Sequence, residues 1–169
     1  MATKFTREQV LELCSSRNAD ETVELWLNNA DLSGLDLAEC DLRGAHLREA
    51  NLSGANLQKA NLSQADLRMA NLTLADLRSA HLYAASLPGA DLTDANLTFA
   101  YLGRADLTGA RLIGSNLTMI DARKANFSLA DLRRANLREA RLNGANIEMA
   151  DLEGAKLTGA IMPDGTKHE

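Results

Sequence analysis

From Ala30 to Asp164 this chain repeats a five-residue unit 27 times without an insertion, and no other property limits its fold so severely. Ala50-Asn51-Leu52-Ser53-Gly54 and Ala65-Asp66-Leu67-Arg68-Met69 show the template. A large apolar residue stands at the centre, with a small residue two positions before it. Asp or Asn commonly lies between them, and two mostly polar residues follow. Leu fills the centre in 23 units, the exceptions being Ala122, Phe127, Ile147 and Met162. Ala fills the small position in 23 units, the exceptions being Leu35, Cys40, Ser115 and Ile120.

A period of five suits neither standard element. On an α-helix five residues advance about 500°, so successive central leucines step roughly 140° around the axis and cover no single face. In a flat strand the small residue and the central Leu share a face, but the next Leu points the opposite way. Both positions stay inward only if the chain turns a corner in every unit. The turn chemistry agrees. Nine of the eleven glycines occupy the last position of a unit, where a turn can demand positive φ. Pro88 and Pro163 each occupy the residue before that, which a turn with preset φ accepts. Asp or Asn before the central residue can bond local backbone at the corner. The chain therefore reads as a solenoid.

On these residues the chain resembles the pentapeptide-repeat proteins over about four-fifths of its length, in the manner of small bacterial and cyanobacterial members. The resemblance implies an all-β solenoid: a right-handed quadrilateral β-helix with one unit per side and 20 residues per coil. The 27 units would then make about seven coils, roughly 32 Å long at about 4.8 Å per coil. Residues 1–29 are expected to form a short N-terminal α-helical cap, residues 30–164 the β-helix, and residues 165–169 a C-terminal tail.

Three local expectations follow. In Ile120-Asp121-Ala122 the large and small residues have exchanged places with total volume roughly conserved, so a local bulge or altered bend is expected there. The asparagines 96/116/136 and 51/71 fall 20 apart and are expected to bond to one another as amide ladders. Thr6-Arg7-Glu8-Gln9 has capping-box spacing ahead of Val10, Leu11, Leu13 and Cys14, which predicts a helix. A second helical turn or two could begin at Asp20 and carry Val23, Trp26 and Leu27, with Trp26 as the apolar anchor over the end of the coil. Such a cover is needed because a stacked coil exposes an apolar end and unpaired backbone. At the other end only seven residues follow Met162. Either they fold over the last coil, helped by Pro163, or two molecules meet there, leaving a monomer or a C-terminal-end homodimer.

Polar residues interrupt every unit, so no segment reads as a membrane span, and the charged first 30 residues do not resemble a signal peptide. A cytoplasmic location is the default expectation. Cys14 and Cys40 read as reduced packing residues, since two cysteines make no disulfide framework. No Cys/His cluster has zinc spacing and no glycine-rich loop could cradle phosphate, so neither metal nor cofactor is expected.

Sorting outward residues at the 20-residue period gives faces of −3, 0, +2 and −2, none with a long single-sign field. The +2 face stacks Asn61, His81, Tyr101, Asp121 and Arg141 before the central residue, with Tyr83 and Arg104 nearby. A His, a Tyr and an Asp on adjacent rungs suggest acid–base chemistry, but a convex wall offers no water-restricted site. An interaction patch is the better reading, because Tyr and Arg favour interfaces. It comprises His81, Tyr83, Phe99, Tyr101, Arg104 and Met119; Leu129 and Met149 form a second, smaller apolar pair. The chain is expected to be no enzyme but an interaction or scaffold rod with an unidentified protein partner. The alternative implied by the resemblance is a DNA mimic that binds DNA gyrase or another topoisomerase. Residues 30–169 carry only −3, with 15 basic against 18 acidic side chains, which suits mimicry poorly. The overall charge of −5 also disfavours direct nucleic-acid binding.

Overall fold

The computed structural model describes residues 4–19 and 24–169. The backbone returns above itself every 20 residues. Asp31 bridges Asn51 in parallel, Asn51 bridges Asn71, and the register continues without slippage to Arg141 and Ile161. Four five-residue units therefore make one turn. Each bridge is an isolated residue pair and no extended strand forms among the described residues. The corners cause this, since too few residues lie between them for a ladder to lengthen.

The unit Ala50–Gly54 shows how the backbone donors are satisfied. The Asn51 N–H donates to Ala30 O in the preceding turn at 2.8 Å, as measured between N and O. Leu52 and Gly54 donate forward to Asn71 O at 2.7 Å and Thr73 O at 2.8 Å, and Ala55 closes the corner on Leu52 O at 3.0 Å. The fifth donor, Ser53 N–H, faces outward and is taken by Asn51 Oδ1 at 3.2 Å. That bond is the physical reason for Asp or Asn before the central residue. It recurs from Ser33 on Asp31 to Glu153 on Asp151. The two prolines fit the same logic. Pro88 and Pro163 occupy the fifth-donor position but bring no N–H, and their units carry Ser86 and Ile161 in place of Asp or Asn.

Every corner residue from Asn29 to Gly159 has positive φ: eighteen non-glycine residues and nine glycines. A side chain in this left-handed region costs about 1–2 kcal/mol, and the corners include no β-branched residue. At Gly89 glycine serves a second purpose, because an added Cβ would lie 2.6 Å from Met69 Sδ.

The central leucines and their small partners form one continuous column that, apart from partly buried Leu35, is essentially inaccessible from Leu25 to Leu137. Full burial of each such Leu is worth about 1.5–3 kcal/mol. The exchanged unit produces no bulge. Ile120 and Ala122 are both wholly buried, and Asp121 still bridges Tyr101 and Arg141. The only trace is a longer corner bond, Ile120 N to Leu117 O at 3.4 Å. Volume conservation across the pair absorbs the swap within the register. The asparagine ladders are also weaker than expected. Of those pairs only Asn136 Nδ2 to Asn116 Oδ1 forms, at 3.5 Å. The side-chain oxygens are already committed to the outward N–H of their own units.

At the N-terminal end, helix α1 spans Arg7–Ala19. Its start is the expected capping box: Gln9 N–H donates to Thr6 Oγ1 at 3.3 Å and Thr6 N–H to Gln9 Oε1 at 2.8 Å. Val10 and Cys14 are buried against the first turn, with Phe5, Leu11 and Leu13 packed around them. Arg7 Nε reaches Asp36 O at 2.8 Å. Cys14 hydrogen-bonds Cys40, and this bond is the main cause holding the Cys40 thiol below its ordinary range.

Trp26 does not anchor this end. The expected helix start at Asp20 and the position of Val23 lie outside the described residues, but Trp26 bridges His46 and belongs to the coil. The pentad register thus extends back to Leu25-Trp26-Leu27. Leu25 and Leu27 point in, and Trp26 takes the outward place between them, 61% exposed. Its ring stacks flat on His46, with centroids 3.9 Å apart and planes within 3°.

At the C-terminal end the tail folds back. Lys167 pairs antiparallel with Ile161, Met162 N–H donates to Thr166 O at 2.8 Å, and His168 N–H donates to Ala160 O at 2.8 Å. Ala160 is buried as a result, whereas Ile147, Leu152, Leu157 and Met162 stay partly exposed.

Candidate interaction surface

The wall carrying the column Asn61, His81, Tyr101, Asp121 and Arg141 departs most from the repeat template. Consecutive members bridge one another, so the column is a true vertical stack. His81 and Tyr101 supply rings where other units place Asp or Asn. The rings lie 4.9 Å apart, tilted by 45°. Neither ring accepts the outward N–H of its own unit. Among the described residues, the Tyr83 and Gly103 N–H groups therefore donate to no protein acceptor.

Gly103 shapes the surface further. Its column runs through Arg43, Ser63, Tyr83, Gly103, Arg123 and Asn143, and it alone lacks a side chain. Its φ is not in the left-handed region, so the backbone does not require glycine there. The Tyr83 ring leans into the space, with Cδ2 3.3 Å from where a Cβ would stand. The result is an open cleft of about 330 Å³ lined by Tyr83, Tyr101, Gly103, Arg104, Asp121, Arg123 and Lys124.

Two kinds of cation line the cleft. Arg123 is committed to Asp121, donating from Nε to Oδ1 at 2.7 Å and from Nη2 to Oδ2 at 2.6 Å. That hydrogen bonding, aided by Arg141, holds the Asp121 carboxyl below the usual carboxylate range. The same Asp–Arg fork recurs within Asp41–Arg43, Asp66–Arg68, Asp76–Arg78 and Asp131–Arg133, so it belongs to the scaffold. Arg104 and Lys124 sit instead on consecutive positive-φ corners and form no ion pair among the described residues.

The six residues singled out from sequence thus divide. Tyr83, Tyr101 and Arg104 share the cleft, and His81 adjoins it through Tyr101. Phe99 and Met119, 52% and 39% exposed, occupy the preceding corner and do not line it. Gly103, Asp121, Arg123 and Lys124 complete the lining and were not among the six. Gly103 carried a readable signal, being the one glycine inside the repeats that is not at a corner. Leu129 and Met149 are also exposed, on a different corner that they share with Met69.

Among the described residues no cluster of three or more His, Cys, Asp or Glu could hold a metal ion. No helix among them is long and apolar enough to cross a membrane.

The family model for pentapeptide repeats matches eight copies, over residues 27–64, 55–94, 90–128 and 123–159. No curated protein matches the chain. Several solved structures are similar. HetL, a pentapeptide repeat protein involved in heterocyst differentiation regulation from the cyanobacterium Nostoc sp. strain PCC 7120, is 26% identical; the match covers 97% of this chain and all of that one, with a TM-score of 0.27. Rfr23 from the cyanobacterium Cyanothece 51142 is 28% identical over 86% of this chain and 94% of its own, with a TM-score of 0.46. QnrB1, a plasmid-mediated fluoroquinolone resistance protein, is 19% identical over 82% and 70%, also with a TM-score of 0.46.

Proposed function

The chain belongs to the pentapeptide-repeat family, and on that premise we propose that it is a non-catalytic rod that binds a protein partner. In this reading the rod is a right-handed, four-sided β-helix of about seven coils, and it works in the cytoplasm. Its binding wall carries His81, Tyr83, Phe99, Tyr101, Arg104 and Met119. The observation that carries the proposal is the break in the template there: rings replace Asp or Asn on two consecutive rungs, beside exposed Phe99 and Met119. A residue that abandons a backbone-satisfying role and stays exposed contributes little to the scaffold, and aromatic anchors are what interfaces use. No cofactor is assigned.

Affinity capture from the native host, comparing wild type with Tyr83→Ala/Tyr101→Ala and Phe99→Ala/Met119→Ala, tests this. Loss of one captured protein in either double variant is expected. Turnover of any substrate that disappears in His81→Ala or Tyr101→Phe would overturn the non-catalytic reading. Action as a DNA mimic on gyrase or another topoisomerase is the weaker alternative, because Arg and Lys interrupt every face. A supercoiling assay with no effect, with or without a quinolone, removes it.

The partly exposed Ile147, Leu152, Leu157 and Met162 favour one addition: two rods meet through their C-terminal ends. Sedimentation of wild type and Leu157→Asp decides between dimer and monomer. Monomer mass in wild type leaves the rod a monomer, and dimer mass in both proteins places any dimer contact elsewhere.

A further inference from the structure

We propose that the cleft over Gly103 receives an acidic side chain from the partner, with its carboxylate set between Arg104 and Lys124. This rests on the interaction reading above and adds the chemistry that the partner must present.

Three independent observations converge. First, Arg104 and Lys124 line one cleft from consecutive turns with no carboxylate partner among the described residues, whereas Arg123 between them is committed to Asp121. Like charges on neighbouring rungs about 4.8 Å apart repel, and an anion between them converts that repulsion into two charge-assisted bonds. Second, the Gly103 N–H opens into the same cleft unclaimed, because Tyr101 stands where an Asp or Asn would have taken it. Where a unit carries Asp or Asn that N–H is satisfied by the chain itself, as on the next rung, where Arg123 N–H donates to Asp121 Oδ1 at 3.4 Å. Over Gly103 the oxygen that Asp121 supplies one rung on is missing. Third, glycine at 103 is not demanded by its backbone angles, so the missing side chain serves the space it leaves.

Charge selects the occupant's class. The chain carries −5 overall, and acids outnumber bases on two of its four faces. A polynucleotide gains affinity by releasing counterions along many phosphates, and two unpaired cations beside Asp121 give it little. A single carboxylate next to an apolar residue matches the cleft better, since the apolar neighbour can lie on the exposed rings of Tyr83 and Tyr101.

Those two tyrosines are the only ones in the chain, so both ring signals of a tyrosine-labelled sample report on the cleft. The probe is the blocked peptide acetyl-Leu-Asp-Asp-Leu-amide, titrated against the full chain and followed by tyrosine NMR. Saturable shifts of both signals are expected. Apparent affinity should weaken roughly tenfold in Arg104→Ala/Lys124→Ala, and similarly in Gly103→Gln, which fills the space but keeps both charges. Affinity should also fall as sodium chloride rises from about 0.05 to 0.5 M. Equal shifts with the Asn-for-Asp peptide, or stronger shifts with a single-stranded oligonucleotide, would overturn the proposal. Unchanged affinity in both variants would do the same. Capture of the native partner separates the two readings. If Tyr83→Ala/Tyr101→Ala loses it while Arg104→Glu/Lys124→Glu retains it, the binding wall stands and the acidic contact falls. If none of the aromatic and apolar double variants loses it, the wall itself falls.

Discussion

Leu27, Leu32 and Leu37, at the N-terminal end of the coil, are within 1% of complete burial, whereas Ile147, Leu152, Leu157 and Met162 at the opposite end are all partly exposed. The repeat chemistry at the two ends is nearly the same. What differs is the next layer. At the N-terminal end α1 lays Val10 and Cys14 over the first turn, while at the C-terminal end the tail pairs along Ile161 and covers only one side. A unit can place its leucine inward by itself, but it removes that leucine from water only with material stacked on it. Stability in this molecule should therefore depend on position along the axis more than on the residue replaced.

The sharpest way to break that comparison is a matched pair of core truncations. Leu92→Ala should cost about 3 kcal/mol and Leu157→Ala about 1 kcal/mol, measured by urea unfolding. Equal losses would mean that the open end is not open in solution. Next in size is Val10→Asp, which places a carboxylate where α1 meets the first turn. It should cost about 2 kcal/mol, abolish exchange protection of the Phe5 amide that donates to Asp31 O, and make the N-terminal end bind apolar dyes. An unchanged urea midpoint would show that α1 contributes nothing as a cover.

Acid should narrow the contrast between the middle and the C-terminal end. Asp66, Asp76, Asp121 and Asp131 have carboxyl groups held below their usual range, chiefly by hydrogen bonds from Arg68, Arg78, Arg123 and Arg133. A depressed folded value means that each contribution is complete above the unfolded value near pH 3.9 and fades as pH falls through the folded one. Melting temperature should stay level from pH 7 to about 5 and drop below about 4. Arg78→Met should make that drop shallower, and an equally steep drop would assign acid lability elsewhere. The smallest effect concerns the corners. Gly54→Ala and Gly154→Ala place a side chain at φ of +64° and +69°, and each should cost about 1 kcal/mol in thermal unfolding. Unequal costs would show that corner strain is relieved near the open end.

Much of this was legible residue by residue. The spacing of Leu and Ala gave the inward column, Thr6 and Gln9 gave the helix start, and the glycines marked the corners. Trp26 misled because Leu25 replaces the small residue that announces a unit, so the register looked as if it began at Ala30. The direction of a side chain beside a broken template depends on whether the next turn pairs with it, and here His46 does. The asparagine columns misled for a related reason: one oxygen serves one strong donor first, and the nearer donor was in the same unit. The cleft was half legible. Tyr83, Tyr101 and Arg104 stood out as types, but Lys124, Asp121 and Arg123 join them only through rungs 20 residues apart.

The amino-acid order alone determined that this chain must bend every five residues, bury a Leu–Ala column and spend most Asp and Asn residues on its own backbone. Those are properties of bonds within one unit, and every unit states them again. Tertiary structure decided which end is covered, where Trp26 points, and that two unpaired cations meet an unclaimed N–H over Gly103. Such outcomes depend on which unit lies above which, and that stacking is set by the closure of the whole coil.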